Sequence, residues 1–297
     1  MTEQAGRVVE ADGASRLSRR RGGLDPSGIR AGSLLAIPLA AAAIFLLAPL
    51  ILLGVRALSS VGLPGFGAIV VDPTFIDATG RTFLLAVVVT AACMIIGTAY
   101  AVALVTFPRL VSRLLMSALL SAFGVSLLVR TFGWVILFQP NGALDQTLAL
   151  WGLPTTGSGL LQTTGAMFPA MIHVLLPYVV LPVYAAATQL DHEQLRAAQS
   201  LGARPFAVTW RVILPHLRPS IIAGASLVFL LSLAFYVTPR LLGGPSQLTV
   251  ATLIDRQFNE RFDLGGSAAM GLLLLVVVLA VYAVVSRFVD IVPKERN

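Results

Sequence analysis

Six long apolar blocks constrain the fold of this 297-residue chain more than any other feature. A helix needs about 20 predominantly apolar residues to cross the hydrocarbon core of a bilayer. Blocks of that length cover approximately residues 33–55, 82–106, 114–138, 165–187, 219–241 and 266–288. Because lipid offers the backbone no hydrogen-bond partners, we expect each block to be a helix. The predicted fold class is therefore an all-α membrane protein with six transmembrane helices.

Charge supports this class and predicts an orientation. Charged residues make up 12% of the chain, about half their share in soluble domains. With the N-terminus in the cytoplasm, 15 of the 21 Lys and Arg residues fall in inside segments and 6 in outside segments. The positive-inside rule then predicts cytoplasmic N- and C-termini. The net charge of +7 thus reflects topology, and we expect no nucleic-acid partner.

The pattern predicts three regions along the chain. Residues 1–32 are polar and basic and are expected to form a disordered cytoplasmic tail. Residues 33–290 form the transmembrane domain, and residues 291–297 form a cytoplasmic C-terminal tail. Of the outside segments, 56–81 and 139–164 have the Gly and Pro content of surface turns. The segment from Leu248 to Phe262 has apolar residues near helical spacing, which predicts a short amphipathic helix.

A polar segment, residues 190–219, interrupts the apolar pattern between spans 4 and 5. Asp191 can cap a helix over 192–201, and Gly202 is placed to end it. Pro205 is suited to the first turn of a second helix, which we expect Pro215 and Pro219 to stop. The apolar face of that second helix comprises Phe206, Trp210, Ile213 and Leu214. The segment predicts a helix–Gly–helix element that docks another protein; the alternative is an amphipathic helix lying in the lipid interface.

Two residue types limit the chemistry. Lys294 is the only lysine, and no glycine-rich loop precedes it, so a phosphate-binding loop of the GxxxxGK[ST] type is excluded. Cys93 is the only cysteine and lies in an apolar block, which predicts a small buried side chain. We therefore expect no catalytic residue, no metal site and no bound cofactor in this chain.

Polar side chains inside spans are costly and usually functional. Candidates for a translocation path are Arg130, Trp134, His173, Tyr178, Tyr236 and Arg240. Interface anchoring is the alternative for the Trp and Tyr residues, and a hydrogen bond to a neighbouring helix is the alternative for His173. Arg130 needs a partner, either Asp145 or a carboxylate of a second chain. The path offers two arginines and no acid inside any span.

The polar segment also carries a resemblance. Ala197-Ala198, Gly202, Leu214 and Pro215 fall in register with the EAA loop of permease subunits of binding-protein-dependent ABC importers. Arg196 stands where that motif has glutamate, and Glu193 lies one turn earlier. The stretches 129–134, 140–142, 176–182 and 237–244 resemble permeases of the spermidine/putrescine type.

The resemblance implies a multi-pass protein of the bacterial inner membrane that contacts lipid and pairs with a second permease chain, as a homodimer or heterodimer. It implies ABC ATPase subunits that bind ATP and Mg, and an extracytoplasmic solute-binding protein. The residues implied to dock the ATPase are Glu193, Arg196, Ala197, Ala198, Ser200, Leu201, Gly202 and Ala203.

The implied cargo is a polyamine, whereas the two arginines suit an anionic or zwitterionic small molecule such as an opine, amino-acid derivative or phosphonate. An ATP-independent secondary transporter is the main rival function; a rhomboid-like protease using Ser126 and His173, or a structural anchor, are weaker ones.

Overall fold

A computed structural model describes residues 31–152, 159–190 and 208–290. The named elements within those ranges are helices, which confirms the all-α class. They are α1 (Ala31–Val71), α2 (Pro73–Thr106), α3 (Arg109–Gly124), α4 (Leu127–Phe138), α5 (Ala143–Leu150), α6 (Thr164–Leu175), α7 (Pro177–Ala187), a π-turn (Thr209–Ile213), α8 (Leu214–Leu233), α9 (Val237–Leu242), α10 (Val250–Asn259) and α11 (Leu264–Asp290). Five spans in the described ranges are long and apolar enough to cross a membrane, or six if the bent pair α3–α4 is one span.

Contacts divide the chain into two units, Met1–Leu52 and Leu53–Asn297. In the first unit, the described residues form the beginning of α1, and large apolar side chains such as Phe45 and Leu52 are exposed. Such a surface is suited to lipid rather than water. In the second unit, α2, α7 and α8 enclose the main core, which includes Val89, Val179 and Val228.

Two glycines allow α2, α7 and α8 to approach closely. A Cβ on Gly97 of α2 would lie 3.0 Å from both Cβ and Cγ1 of Val179 in α7. A Cβ on Gly224 of α8 would lie 3.1 Å from Val179 Cα and 3.2 Å from the Tyr178 carbonyl oxygen. Small residues at such contacts are how membrane helices gain van der Waals contact where lipid supplies little hydrophobic drive.

The prediction of surface turns over 56–81 is wrong. Helix α1 continues to Val71 across a kink at Gly62, whose φ of 61° favours glycine. Pro64 directly follows the kink, where a missing N–H costs little. The chain breaks at Asp72, whose side chain caps α2 by accepting bonds from the N–H groups of Thr74 and Phe75. The Pro and Gly signals therefore mark helix starts and a kink rather than loops.

The third predicted span is bent rather than straight. Its two helices, α3 and α4, meet at an angle of 99°. Val125 and Ser126 adopt extended backbone conformations between them, and the Val125 N–H closes α3 by donating to the Ser121 carbonyl. The span predicted over 114–138 is therefore broken inside the protein, a geometry found where membrane transporters hold polar groups.

The fifth span also differs from expectation. It begins at Leu214 and ends at Leu233, short of the predicted end at 241. Pro215 and Pro219 do not stop the preceding helix, because the π-turn leads directly into α8. In that turn the Leu214 N–H donates to the Thr209 carbonyl. The wider turn accommodates the proline ring and its missing donor.

The other two segments agree with expectation in part. The amphipathic helix expected within 248–262 is α10, which begins with a capping box formed by Thr249 and Thr252. The segment 139–164 begins with the expected turn at Pro140–Gly142, but α5 occupies part of the remainder, which was also expected to form turns. Cys93 is buried in the main core, as predicted.

Candidate functional site

The break in the third span places two predicted path residues in contact. The Trp134 Nε1–H of α4 donates a hydrogen bond to Nδ1 of His173 in α6 over 3.2 Å. The two rings meet edge to face with centroids 6.0 Å apart. Phe138, one turn after Trp134, packs against the indole at 5.1 Å. Trp134 thus joins α4 to α6 by both a polar and an aromatic contact.

This hydrogen bond fixes the chemical state of His173. The Trp indole nitrogen is a donor only, so His173 Nδ1 must be the acceptor and carries no hydrogen. A neutral imidazole then holds its hydrogen on Nε2. The alternative expected for His173, a hydrogen bond to a neighbouring helix, is observed. The same bond leaves Nε2–H free of the Trp134 contact and able to donate elsewhere.

Arg130 lies one helical turn before Trp134 and therefore on the same face of α4. Its Nε and Nη1 atoms are buried and have no hydrogen-bond partner in the described part of the chain. Because Trp134 on that face contacts His173, Arg130 also lies on the side of α4 that faces α6. The Asp145 carboxylate, which was the expected partner, is buried and accepts a bond from the Asn141 N–H over 3.2 Å.

Tyr178 contacts the other arm of the broken span. Its ring meets Phe123 of α3 edge to face at 5.7 Å. Because Tyr178 is in the first turn of α7, it lies one helix beyond His173 along the α6–α7 span. Side chains from α6 and α7, His173 and Tyr178, therefore contact the two arms of α3–α4 on either side of its break.

Arg240 belongs to an ion-pair network that sequence reasoning missed. Its Nε lies 3.0 Å from an Asp255 carboxylate oxygen, and its Nη2 lies 3.9 Å from Glu260. Glu260 also pairs with Arg256 at 3.2 Å. Acids of the same chain that lie outside the predicted spans therefore compensate the charge of Arg240. The signal available in the sequence was the Arg256–Glu260 spacing of four residues on an amphipathic helix.

Tyr236 lies in the break between α8 and α9 and is part of the same network. Desolvation raises the pKa of its hydroxyl, and the negative charge of the neighbouring Asp255 carboxylate raises that pKa further. A cavity of about 350 Å³ adjoins the network; its lining includes Gln162, Arg240, Gln247, Arg256 and Glu260. This cavity offers charges of both signs and amide groups at its wall.

Two buried threonines connect the network to Arg130. Thr131 of α4 and Thr238 of α9 are fully buried, and their hydroxyl oxygens lie 3.5 Å apart. Each is adjacent in sequence to other site features, Thr131 to Arg130 and Thr238 to the break that holds Tyr236. Of the six predicted path residues, the structure thus gathers three around α4 and two at α9, whereas the sixth, Tyr178, contacts Phe123 of α3.

The predicted docking residues, from Glu193 to Ala203, lie outside the described residues. The structure resumes with Val208, and the π-turn and α8 follow. Of the apolar face predicted for the second helix, Ile213 is buried in the main core and Leu214 packs against it, whereas Trp210 is largely exposed. That face therefore extends the core of α8 on one side.

Apolar spans around a core of helices, one span broken inside the protein and polar side chains gathered at the break define a polytopic membrane transport protein. More particularly, the chain belongs to the family described as "Binding-protein-dependent transport system inner membrane component", which matches residues 96–294. It is accordingly a permease subunit of the ABC importer type and a multi-pass protein of the bacterial inner membrane.

Relatives and solved structures agree with this family. The chain is 31% identical over 222 residues to the spermidine/putrescine transport system permease protein PotB of Escherichia coli K12, covering 74% of this chain and 81% of the relative. It is 31% identical over 203 residues to a putative 2-aminoethylphosphonate transport system permease protein, PhnU, of Salmonella choleraesuis SC-B67, covering 67% and 71%.

In fold, the chain is similar to a bacterial ABC transporter involved in the import of the acidic polysaccharide alginate. The TM-score is 0.79 at 18% identity, covering 88% of this chain and 95% of the other. A second fold relative is the MetNI methionine ABC transporter in an inward-facing conformation, with a TM-score of 0.55 at 16% identity, covering 74% and 96%.

Proposed function

We propose that this chain forms one half of a solute translocation path, with a second permease chain forming the other half. The path runs past the break of α3–α4, where Arg130, Trp134 and His173 meet. The observation that carries this proposal is the pair of buried, unpartnered guanidinium nitrogens of Arg130. An ionisable group kept inside a membrane bundle is costly, so it is retained for a partner that arrives during function.

Energy for transport comes from separate ATPase subunits that grip the segment from Glu193 to Ala203 on the cytoplasmic side. Support for this coupling route comes from the chain that follows. From Val208 onward the π-turn and α8 form one continuous helical stretch, whose Gly224 packs against Val179 and Tyr178. A displacement at the ATPase would therefore be carried as a rigid-body movement into the core.

Two solute classes are candidates, and the first is a polyamine, delivered by an extracytoplasmic binding protein. The supporting observation is the similarity to PotB over most of the chain. Aromatic faces such as those of Trp134 and Tyr178 are suited to organic ammonium groups. An anionic or zwitterionic solute is the second candidate, and Arg130 is the specific feature that favours it. A relative named for 2-aminoethylphosphonate, a zwitterion, is similar at the same level of identity.

Uptake by the assembled importer tests the function. The chain is co-expressed with the ATPase, second permease and binding protein encoded beside it, and uptake of labelled spermidine and 2-aminoethylphosphonate is measured in membrane vesicles. We expect ATP-dependent uptake that Gly202→Val abolishes while membrane insertion persists. Uptake that continues with a hydrolysis-deficient ATPase contradicts the coupling proposal and favours a secondary transporter.

A matched control keeps that result specific. Gly152→Val changes a glycine whose φ is 67° and which lies in a turn after α5, with no atom within 4 Å of an added Cβ. We expect this variant to retain uptake. Equal loss in both variants would indicate a general folding defect rather than loss of ATPase docking.

A further inference from the structure

We infer that Arg130 and His173 together form a binding subsite for an anionic group of the transported solute, a carboxylate or phosphonate. The inference rests on the proposed translocation path and specifies the solute class within it. It selects a solute that carries a negative charge over a simple polyamine.

The donor inventory of the site carries the inference. Arginine has five N–H donors and no acceptor, and Nε and Nη1 of Arg130 have no partner among the described residues. His173 accepts from Trp134 at Nδ1, so its neutral ring presents only a donor, Nε2–H, to the remaining surroundings. A place whose free polar groups are donors is complementary to a group that has only acceptors. Ionised carboxylates and phosphonates are such groups.

Of the two arginines expected in the path, Arg130 is the one available to bind an anionic group of the solute. Arg240, the other arginine expected in the path, is paired with Asp255 and Glu260. Nε and Nη1 of Arg130 thus keep their donors for an incoming group, and Trp134 holds the imidazole of His173 in the tautomer that assists it.

The structure also supplies a reporter for the subsite. The chain has three tryptophans, Trp134, Trp151 and Trp210. Replacing Trp151 and Trp210 with Phe leaves Trp134, bonded to His173, as the sole indole. A group that binds Nε2–H polarises the imidazole and thereby changes the environment of the Trp134 indole.

The test is a fluorescence titration of this single-tryptophan chain in phosphatidylcholine nanodiscs. Methylphosphonate is the probe, and methylammonium is the cation control. We expect a saturable change with methylphosphonate alone, and Arg130→Gln to weaken that response by about ten- to a hundred-fold, the loss of a charge-assisted hydrogen bond. Arg130→Lys, which keeps the charge, should retain part of it. Arg109→Gln, which removes an exposed arginine, should leave it unchanged.

Three outcomes overturn the inference. The first is the absence of a saturable response to methylphosphonate, and the second is a response that survives Arg130→Gln. The third is a response lost in discs that contain phosphatidylglycerol, which would assign the subsite to a lipid headgroup. The fluorescence titration requires neither ATP nor companion subunits. The importer function is therefore tested separately, by the uptake assay.

Discussion

The contact among α2, α7 and α8 makes a quantitative prediction for Gly97→Ala. An added Cβ would lie 3.0 Å from Cβ and Cγ1 of Val179, whereas carbon atoms prefer about 3.5–4.0 Å. The helices must therefore separate by roughly half an ångström or more, and such overpacking costs about 1–3 kcal/mol. Alanine in a helix interior recovers about 0.5–1 kcal/mol relative to glycine. We expect a net loss on the order of 1 kcal/mol.

Gly80→Ala is the matched control, because Gly80 is in the same helix and an added Cβ there has no atom within 4 Å. It should gain the helix-propensity benefit without the overpacking cost. The two variants should then differ by about 1–3 kcal/mol, the overpacking cost alone. At about 2–4 °C per kcal/mol, the thermal midpoint of Gly97→Ala in detergent should lie at least a few degrees below that of Gly80→Ala. A Gly97→Ala midpoint equal to or above the control refutes the reasoning.

A second substitution tests which atoms clash. Val179→Ala removes the Cγ1 atom that the new Cβ of Gly97→Ala meets, so it should partly restore stability in that background. Gly224→Ala meets backbone atoms, Val179 Cα and the Tyr178 carbonyl oxygen, so Val179→Ala should not relieve it. Coupling between neighbouring sites of about 0.5 kcal/mol or more is measurable in a double-mutant cycle.

Two further predictions concern charged residues outside the spans. Arg240→Asp should lower the thermal midpoint by a few degrees at most, since half-exposed ion pairs contribute about 1 kcal/mol or less, and adding Asp255→Arg should restore it. Asp72→Ala should destabilise α2 by about 1 kcal/mol, as measured by unfolding near neutral pH. The Phe75 N–H bond and the Thr74 bonds hold the pKa of Asp72 below its usual value. The stabilisation is therefore complete above the usual pKa, and the difference from Asp72→Ala should vanish as pH falls through the lowered one.

Hydropathy predicted where the spans lie because burial in lipid depends on length and composition, which the sequence states directly. Breaks inside spans depend on pairwise contacts that composition does not encode. Gly124 and Ser126 indicate a helix break no more strongly in the sequence than Gly97 does. The chain nevertheless bends by 99° between Gly124 and Leu127, whereas α2 continues through Gly97 as one helix. Prolines misled in the same way: Pro64 and Pro215 sit at or near helix starts, where a missing N–H costs little.

The sequence singled out polar residues within the spans but did not predict how they pair. A polar side chain in an apolar block is costly and therefore conspicuous, so Trp134 and His173, which the structure brings into contact, were both candidates from sequence. The partners of Arg240 were missed because Asp255 and Glu260 lie in a polar helix that hydropathy places outside the spans. The pairing of Arg240 in α9 with Asp255 in α10 can be recognised only in the folded structure, where the two helices lie side by side.

The connections of α8 imply that its two ends have different roles in the proposed importer: the start receives movement, and the end forms a hinge. At its start the π-turn and α8 form one helical stretch from Val208 onward, and the proposed docking segment precedes it in sequence, so in the proposed mechanism movement there shifts the whole helix. At its end the chain breaks at Ala234–Tyr236, and α9 beyond is held separately, by Arg240 to Asp255 and by Thr238 to Thr131. A hinge between a moving helix and a fixed one concentrates displacement at the break. Since Thr131 is adjacent to Arg130, that displacement occurs beside the subsite, where a bound anion can be released only if the donors around it move apart.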